Sequence, residues 1–417
     1  MSLFEELKWR NLITECSDEK RVKSLLDGNK KIKFYCGFDT TAGSLTVGHL
    51  VQIITFLLIQ KKGHFPIVLL GGATSFIGDP KKIEERKLLD SNQILDNFNK
   101  ISLQFKKILS FISFEIVNNY DWISKIDIIN FLRKYGKLFN INYMLSKEVV
   151  SNRLKKGLSY AEFSYMILQS LDFQYLFEHK NVIMQFGGSD QWGNITSGLE
   201  LIRKINKIQD NNKPVGMTNA LLLKSDGNKF GKSEDGVLWL DQKLTSPYKI
   251  YQYFLNTEDK EVINYLKSLT LLSKKEIITL QKENITNPRN RLAQKILAKE
   301  VITLIHGKKI FENCFKTSQA LFLGKKDQLN EQSFCFLKYT LNYIEVNDTI
   351  SLLEALVLTE LTSSKNKARE LISSRAIKIF DQIVDNTELI LNIKHSLFNK
   401  YILLKKGKIF NALIIFR

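Results

Sequence analysis

The sequence predicts an α/β protein with a doubly wound parallel sheet, followed by an α-helical domain and a small α+β domain. Short apolar runs at residues 32–37, 65–70 and 182–186 each end in glycine, as buried strands before turns do. A largely apolar helical pattern over residues 47–60 separates the first two strands, which is the strand–helix–strand order of parallel sheets. Ligands bind such sheets beyond the carboxyl ends of the strands, so the chemistry should cluster there.

Changes in pattern along the chain predict the domain limits. Helical patterns at residues 128–139 and 160–177 interrupt the strand signals, and helices dominate after residue 241. Beyond residue 350 two short helices, a strand at 376–380 and a closing strand pair between 401 and 416 are expected. We therefore expect a Rossmann-like domain at 1–240 with an insertion at about 119–180, an α-helical domain at 241–324, a linker at 325–349 and an α+β domain at 350–417.

The charge balance points to a polyanionic partner without proving one. Among 417 residues, 61 Lys and Arg against 43 Asp and Glu give a net charge of +18, which attracts RNA or a membrane surface. A lysine-rich background accounts for the same number equally well.

Cysteine spacing and hydropathy narrow the location of the protein. The four cysteines lie far apart and form no CxxC pair, which argues against a zinc site and against a disulfide framework. No window approaches the ~20 apolar residues that a membrane span needs. We expect a cytoplasmic protein with no membrane association.

The turn after the first strand, residues 35–49, combines glycines and polar groups at a helix N-terminus. Backbone N–H groups and the helix dipole favour an anion such as a phosphate at this point. Gly48 leaves room for a flat base beside His49. A turn without a ligand remains the alternative for this segment considered by itself.

Two further loops carry groups suited to nucleotide chemistry. Lys229 and Lys232 flank a glycine, and lysines on such a loop can strengthen their contacts as charge develops on a leaving pyrophosphate. After the strand at 182–186, Asp190 is suited to accept hydrogen bonds from ribose hydroxyls, and Gln191 can donate to an oxyanion. A solvated surface loop is the competing interpretation of the lysine segment.

One helix is expected to present a polar stripe. Tyr165, Gln169 and Asp172 recur at i, i+4 and i+7 and therefore share a face. Apolar neighbours on both sides favour a polar patch within a buried pocket over a solvent-facing surface.

Seven motifs then add up to a family. In chain order they are YCGFDTTAGSLTVGH, GGATSFIGDP, NNYDW, EFSYMILQSLDF, GGSDQWGNITSG, KFGKS and TSPYKIYQ. Over nearly its whole length the chain resembles the bacterial-type tyrosyl-tRNA synthetases, which are class I aminoacyl-tRNA synthetases. The resemblance implies a tyrosine–tRNA ligase that forms tyrosyl-adenylate from tyrosine and ATP, then transfers the tyrosyl group to the 3′ end of tRNA(Tyr).

The resemblance also implies roles for individual residues. Tyrosine would be bound by Tyr35 and Asp172 at its phenol hydroxyl, by Asp79, Tyr165 and Gln169 at its amino group, and also by Gln185. ATP would contact Cys36, Gly37, Asp39, Thr41, Gly48, His49, Gly188, Asp190 and Lys232. The residues acting on the reaction would be Thr46, His49, Lys82, Arg86, Gln191, Lys229 and Lys232. Mg²⁺ would arrive with ATP, with no metal held by the protein itself, and the insertion would supply a homodimer contact.

Some positions depart from the family pattern. Thr40, Gly43 and Thr46 stand where the family has proline, aspartate and the first histidine of its HxGH signature. Thr46 can still donate a hydrogen bond to a phosphate, so we expect a slower activation step. The spacing between Asp79 and Arg86 is one residue shorter than the family's, which weakens the assignment of Lys82 and Arg86.

Residues 351–417 resemble an S4-type RNA-binding domain. Ser364 is expected to cap a basic helix, and Lys365, Lys367, Arg369 and Arg375 would contact phosphates. A solvated basic helix face is the alternative. Residues 373–375 and 380–381 stand where the family usually has glycine.

Two other functions remain open at this point. A catalytically weakened RNA-binding relative is favoured by Thr46. The tryptophan-charging relative shares the fold and the lysine loop, but Tyr35 with Asp172 suits a hydroxyl better than an indole.

Overall fold

The computed structural model describes residues 1–80, 88–154, 157–206, 212–222, 230, 232–233, 236–323, 328–407 and 410–417, with the backbone alone at 148, 149, 152, 232, 233, 322 and 323. The chain divides into two compact units. One comprises Met1–Leu240 with Glu258–Ala293, and the other comprises Asp241–Thr257 with Gln294–Arg417.

A six-stranded sheet forms the centre of the first unit. Its strands are β1 (Glu15–Cys16), β2 (Lys33–Asp39), β3 (Phe65–Gly71), β4 (Glu115–Asn118), β5 (Val182–Gly188) and β6 (Val215–Asn219). They lie in the order β1-β6-β5-β2-β3-β4, all pairs being parallel except β1 with β6. The strand order reverses between β2 and β5, and that switch point is where open α/β sheets bind ligands. A short strand pair, β7 (Lys232–Ser233) and β8 (Gly236–Val237), lies outside this sheet.

The first unit also contains helices. In chain order they are α1 (Leu3–Trp9), α2 (Glu19–Asp27), α3 (Leu50–Gln60), α4 (Ser91–Ile108), α5 (Tyr120–Ile123), α6 (Ile128–Asn130), α7 (Ile141–Leu145), α8 (Glu148–Leu154), α9 (Tyr160–Lys180), α10 (Trp192–Ile205), α12 (Asp259–Leu269) and α13 (Lys274–Thr286). Helix α11 (Pro247–Leu255) belongs to the second unit. No helix of the described residues is long and apolar enough to cross a membrane.

Successive side chains of β2 point alternately to the two faces of the sheet. Phe34 packs against Phe56 of α3, with ring centroids 5.6 Å apart, and Phe38 packs against Phe105 at 4.8 Å. Because neighbouring strand residues point to opposite faces, Tyr35 lies on the other face, 5.4 Å from the ring of Phe173 in α9. The same alternation brings Asp39 to the α9 side.

Two helical predictions need local correction. The helix expected at 128–139 is three short segments, α6, a π-helical turn at Phe131–Tyr135 and a 3₁₀ turn at Gly136–Leu138. The helix expected from residue 47 begins with a 3₁₀ turn at Val47–His49 before α3. Apolar spacing alone does not distinguish these tighter or wider turns from an α-helix.

The second unit is helical and then mixed. After α11 it contains α14 (Leu292–His306), which begins at the boundary, followed by α15 (Lys308–Leu323), α16 (Glu331–Lys338), α17 (Leu352–Leu358) and α18 (Lys365–Ser373). Its strands are β9 (Asn342–Val346), β10 (Thr349–Ser351), β11 (Ile377–Ile379), β12 (Gln382–Ile383), β13 (Ile390–Asn392), β14 (Tyr401–Lys406) and β15 (Phe410–Phe416). Five of them form a sheet in the order β12-β11-β14-β15-β9.

The predicted linker at 325–349 is wrong over its described part. That range contains α16 and β9, and β9 pairs in parallel with β15 along its whole length. A strand that depends on a partner about 70 residues away leaves only a weak local signal. The helical region expected at 241–324 is likewise shared, because residues 258–293 pack with the first unit.

Candidate active site

A cavity of about 470 Å³ lies in the first unit, at the carboxyl ends of β2, β3 and β5. It gathers side chains that lie far apart in the sequence. Those predicted for the site that line it are Tyr35, Cys36, Gly37, Asp39, Thr46, Gly48, His49, Asp79, Tyr165, Gln169, Asp172, Gln185, Gly188, Asp190 and Gln191.

The carboxylate of Asp172 is held from two sides. Asn119 donates its side-chain N–H to Oδ2 at 3.0 Å, and the indole N–H of Trp122 donates to Oδ1 at 2.9 Å. Asp172 is only 2% exposed, and burial raises its pKa to about 8 although both donors oppose that rise. The orientation of this group is therefore set before any ligand arrives.

Polar atoms near Asp172 have no partner among the described residues. The hydroxyl of Tyr35 and Oε1 of Gln185 are both buried without a hydrogen bond. Burial, followed by the charge of Asp172, raises the pKa of Tyr35 well above its usual value. Tyr35 and Gln185 are also directly paired in register on β2 and β5. Buried polar atoms without partners are uncommon, so a polar ligand is expected to complete them.

A second polar group surrounds Asp79. Its carboxylate accepts from Gln191 Nε2 at 2.9 Å and from Asn194 Nδ2 at 3.4 Å. Asn194 also donates to Gln169 Oε1 at 2.9 Å. Burial, with the nearby charges of Asp39 and Asp190, raises the pKa of Asp79 to about 6.

Asp39 connects the first loop to α9. The hydroxyl of Tyr165 donates to its Oδ2 at 3.0 Å, and Thr74 donates to its Oδ1 at 2.8 Å. Asp39, which the resemblance assigns to ATP, is therefore hydrogen-bonded to Tyr165, which the resemblance assigns to tyrosine.

Thr46 contacts His49 as well as lining the cavity. Its main-chain N–H donates to Nδ1 of His49 at 2.9 Å, and its hydroxyl oxygen lies 3.0 Å from the same nitrogen. Because an N–H can donate only to an unprotonated nitrogen, the ring proton of neutral His49 lies on Nε2. Burial lowers the pKa of His49 to about 4, so the ring stays neutral near pH 7.

Two glycines, Gly48 and Gly188, line the cavity. A Cβ on Gly48 would meet only Thr46 Oγ1, at 3.5 Å, whereas one on Gly188 would lie 2.5 Å from Oδ1 of Asp190. Gly48 therefore leaves space for a ligand, and Gly188 allows Asp190 to lie against the main chain. Burial raises the pKa of the Cys36 thiol, which stays protonated.

The structure does not describe the side chains of four predicted residues. Lys82, Arg86 and Lys229 lie outside the described residues, and only the backbone of Lys232 is described, in β7. Thr41 is not among the side chains that line the cavity. Among the described residues, no group of three or more His, Cys, Asp or Glu could hold a metal ion.

Sequence reasoning missed four contributors. Asn119 and Trp122 belong to the NNYDW motif, and Asn194 belongs to GGSDQWGNITSG. No role was predicted for any of the three from the sequence. Gln52 lines the cavity from α3, and its Oε1 is buried without a partner in the described part of the chain. Gln52 lies three residues after His49, at the start of α3, and this spacing could have predicted that the two side chains share a face.

In the second unit, Ser364 caps α18 as predicted, accepting from the main-chain N–H of Lys367. The cations of this helix are exposed, and Lys367 pairs with Glu370 at 2.8 Å. Arg375 and Phe380 adopt φ angles of +59° and +52°, a left-handed conformation that glycine adopts most easily.

Comparison with known proteins defines the class first. Residues 27–323 match the family model for tRNA synthetases class I (W and Y), so the chain belongs to that class. The predicted Rossmann-like fold class is confirmed by this match and by the structural relatives. Members of this class use ATP.

The particular family follows from the remaining matches. Residues 338–414 match the tyrosine–tRNA ligase SYY-like C-terminal domain. The tyrosine–tRNA ligase of Phytoplasma mali is 92% identical over the whole of both chains, and tyrosine–tRNA ligase 1 of Bacillus subtilis is 44% identical over 98% of this chain and 97% of its own. The chain is a member of the bacterial-type tyrosyl-tRNA synthetase family.

Solved structures agree. A C-terminally truncated mitochondrial tyrosyl-tRNA synthetase of Aspergillus nidulans is 31% identical, with a TM-score of 0.69 over 77% of this chain and 94% of its own. The tyrosyl-tRNA synthetase of Archaeoglobus fulgidus, solved with L-tyrosine, is 16% identical with a TM-score of 0.57 over 75% of this chain and 99% of its own, and supports the fold alone.

Proposed function

We propose that this chain activates tyrosine with ATP in the cavity described above and transfers the tyrosyl group to tRNA(Tyr). The observation that carries the proposal is that the buried, unpartnered Tyr35 hydroxyl and the buried Asp172 line the same cavity, near enough for the charge of Asp172 to act on Tyr35. A phenol hydroxyl can donate to Asp172 and accept from Tyr35. Phenylalanine would leave both groups unpaired, and an indole has no hydroxyl to meet them.

Asp79, Gln169 and Tyr165 would bind the amino end of tyrosine. The ammonium group needs acceptors, and Asp79 becomes an ionised carboxylate above pH 6. Gln169 Oε1 already accepts a hydrogen bond from Asn194, and the Tyr165 hydroxyl donates one to Asp39. The oxygens of Gln169 and Tyr165 are therefore oriented before tyrosine binds. Gln185 would complete the pocket from β5.

ATP would lie along the glycine-lined side of the same cavity. His49 carries its proton on Nε2 and can donate to the nucleotide, while Cys36, Gly37, Gly48, Gly188 and Asp190 line the space around it. The tyrosine carboxylate would attack the α-phosphorus in line, so the protein's task is to position reactants and stabilise charge. Gln191 would donate to the α-phosphate, and Lys82, Arg86, Lys229 and Lys232 would face pyrophosphate. Thr41 stays a prediction for ATP, and Mg²⁺ would accompany the nucleotide.

The basic helix α18 would bind tRNA. Lys365, Lys367 and Arg369 are exposed on one short helix, and Arg375 follows it. Contacts of this kind to phosphates supply affinity and salt dependence rather than base readout. We place the whole reaction in the cytoplasm, with tRNA(Tyr) as the partner. Apart from the linker and the helical region corrected above, the domain limits remain proposals.

We also propose a homodimer built through the insertion. Large apolar side chains in this region are exposed, namely Ile128, Ile129, Leu132, Ile141, Tyr143, Leu154 and Tyr160. A second copy is the partner that would cover them. Light scattering of the purified chain should give twice the monomer mass, and Ile129→Glu should give the monomer. A monomeric wild type at micromolar concentration would contradict the dimer.

The central test compares amino acids. Tyrosine-dependent exchange of pyrophosphate into ATP should be measured with tyrosine, phenylalanine and tryptophan side by side. Tyrosine alone should support exchange, and Tyr35→Phe should weaken that preference, while the exposed-site control Tyr120→Phe should not. No exchange with tyrosine would overturn the proposal, and exchange with tryptophan would favour the tryptophan-charging alternative.

A further inference from the structure

Phe230 is the described residue that lies between Lys229 and Lys232. Its side chain is only 7% exposed and lines the active-site cavity. Its main-chain N–H donates to the carbonyl of Leu222 at 3.3 Å. Phe230, which is next to Lys229 and near Lys232 in the sequence, is therefore packed into the first unit.

The partner of this docked ring is Tyr265 of α12. The two ring centroids lie 4.8 Å apart with the planes inclined at 56°, a favourable tilted arrangement. Tyr265 is 3% exposed, so water does not compete for the contact. Leu221 and Leu222 line both the active-site cavity and a second cavity of about 440 Å³ whose wall includes Tyr265.

Helix α12 is itself fixed at its C-terminal end. The guanidinium of Arg10, 1% exposed, donates to the main-chain carbonyls of Lys267 at 2.9 Å and Thr270 at 3.0 Å, and also to that of Leu272. The last carbonyls of a helix lack partners within the helix, and a cation there also favours the helix dipole. Glu6 of α1 holds the same guanidinium at 3.0 Å.

We infer that Tyr265 is a positioning residue for the lysine motif. Tyr265 holds the ring of Phe230, the residue next to Lys229 and two before Lys232 in the chain, and Arg10 keeps α12 from shifting under that contact. This inference rests on the proposed function, because it concerns the lysines that would face pyrophosphate. Tyr265 is not among the residues that line the active-site cavity, so its effect should appear in the chemical step and not in tyrosine binding.

The experiment measures the single-turnover rate of adenylate formation and the equilibrium binding of tyrosine. Tyr265→Leu removes the ring and should slow adenylate formation about tenfold while the dissociation constant of tyrosine stays within twofold. Tyr265→Phe keeps the ring and should stay within about twofold of the wild-type rate. Val262→Ala, a fully buried site on the same helix, controls for lost stability and should leave the rate unchanged.

A double-mutant cycle guards against a variant that folds poorly. Phe230→Leu should slow the reaction as much as Tyr265→Leu, and the combination should be no slower than either alone. A Tyr265→Leu rate within twofold of wild type, fully additive losses, or equal losses in Tyr265→Leu and Val262→Ala would each overturn the inference. The wild-type rate is measured first and tests the proposed function separately.

Discussion

The part of the cavity around Tyr35 and Asp172 and the basic helix α18 use polar side chains in opposite ways. Asp172 is buried and already accepts two hydrogen bonds, so one ligand geometry fits it. The cations of α18 are exposed, and Lys367 also has Glu370 as a neighbour. A buried, oriented carboxylate discriminates between ligands, whereas solvated cations add affinity that salt weakens. Selectivity for the amino acid should therefore be much more sensitive to substitution than affinity for RNA.

The substitution Asp172→Asn tests the predicted sensitivity of amino-acid selectivity and is expected to have the largest effect. Above pH 8, where Asp172 is ionised, loss of a charged acceptor for the phenol hydroxyl should weaken tyrosine binding by about 3 kcal/mol, or roughly a hundredfold. Isothermal titration with tyrosine measures it, and Glu178→Gln on the exposed end of α9 is the control. Tyrosine binding within threefold of wild type would remove Asp172 from the recognition site.

The same variant carries a stability prediction. The folded-state pKa of Asp172, about 8, lies above the unfolded value of 3.8, so its contribution to stability is full below pH 4 and is lost as pH rises towards 8. Asparagine does not titrate. The Tm of wild type should therefore fall between pH 5 and pH 8 by more than the Tm of Asp172→Asn, and equal falls in the two proteins would contradict the raised pKa.

Asp79 gives the next effect. With a pKa of about 6, its carboxylate is about one-tenth ionised at pH 5, so tyrosine should bind about tenfold more weakly at pH 5 than at pH 7. Binding measured across pH 5–8 tests this. Asp79→Asn should bind weakly throughout and lose the inflection near pH 6, and an unchanged inflection in that variant would assign the titration to another group.

Thr46 should have a smaller effect, acting through His49. Thr46→Val removes the hydroxyl but leaves the main-chain N–H bond to Nδ1, so adenylate formation should slow about fivefold, with Thr46→Ser close to wild type. Combined with His49→Asn, the substitution should add little. Full additivity would indicate that Thr46 acts on a phosphate independently. Thr46→His tests the weakened-enzyme alternative, because a large gain in rate would support decay of the site.

The smallest effect lies in the basic region. Arg375 has a φ of +59°, so Arg375→Gly should raise the free energy of unfolding by about 1 kcal/mol, since its ion pair with Asp385 is exposed and contributes little. Urea denaturation measures the gain. The same variant should weaken tRNA binding only a few-fold. The slope of its binding constant against salt concentration should fall by about the amount that one phosphate contact contributes. Arg375→Ala, which keeps the strain, should show the RNA effect without the gain in stability.

Local features of this protein were readable from its sequence. Apolar runs ending in glycine predicted β2, β3 and β5, and Ser364 predicted the start of α18, because strands before turns and helix caps depend on neighbouring residues. The motifs also predicted most of the cavity lining, since three of them come at the ends of β2, β3 and β5 and a fourth lies on α9.

The tertiary structure decided what depends on distant partners. Asn119 and Trp122 orient Asp172 across about 50 residues of sequence, and β9 becomes a strand only by pairing with β15. Phe230 likewise meets Tyr265 through packing alone. Local preference constrains the backbone over a few residues, but the direction of a buried polar group depends on which segments close around it.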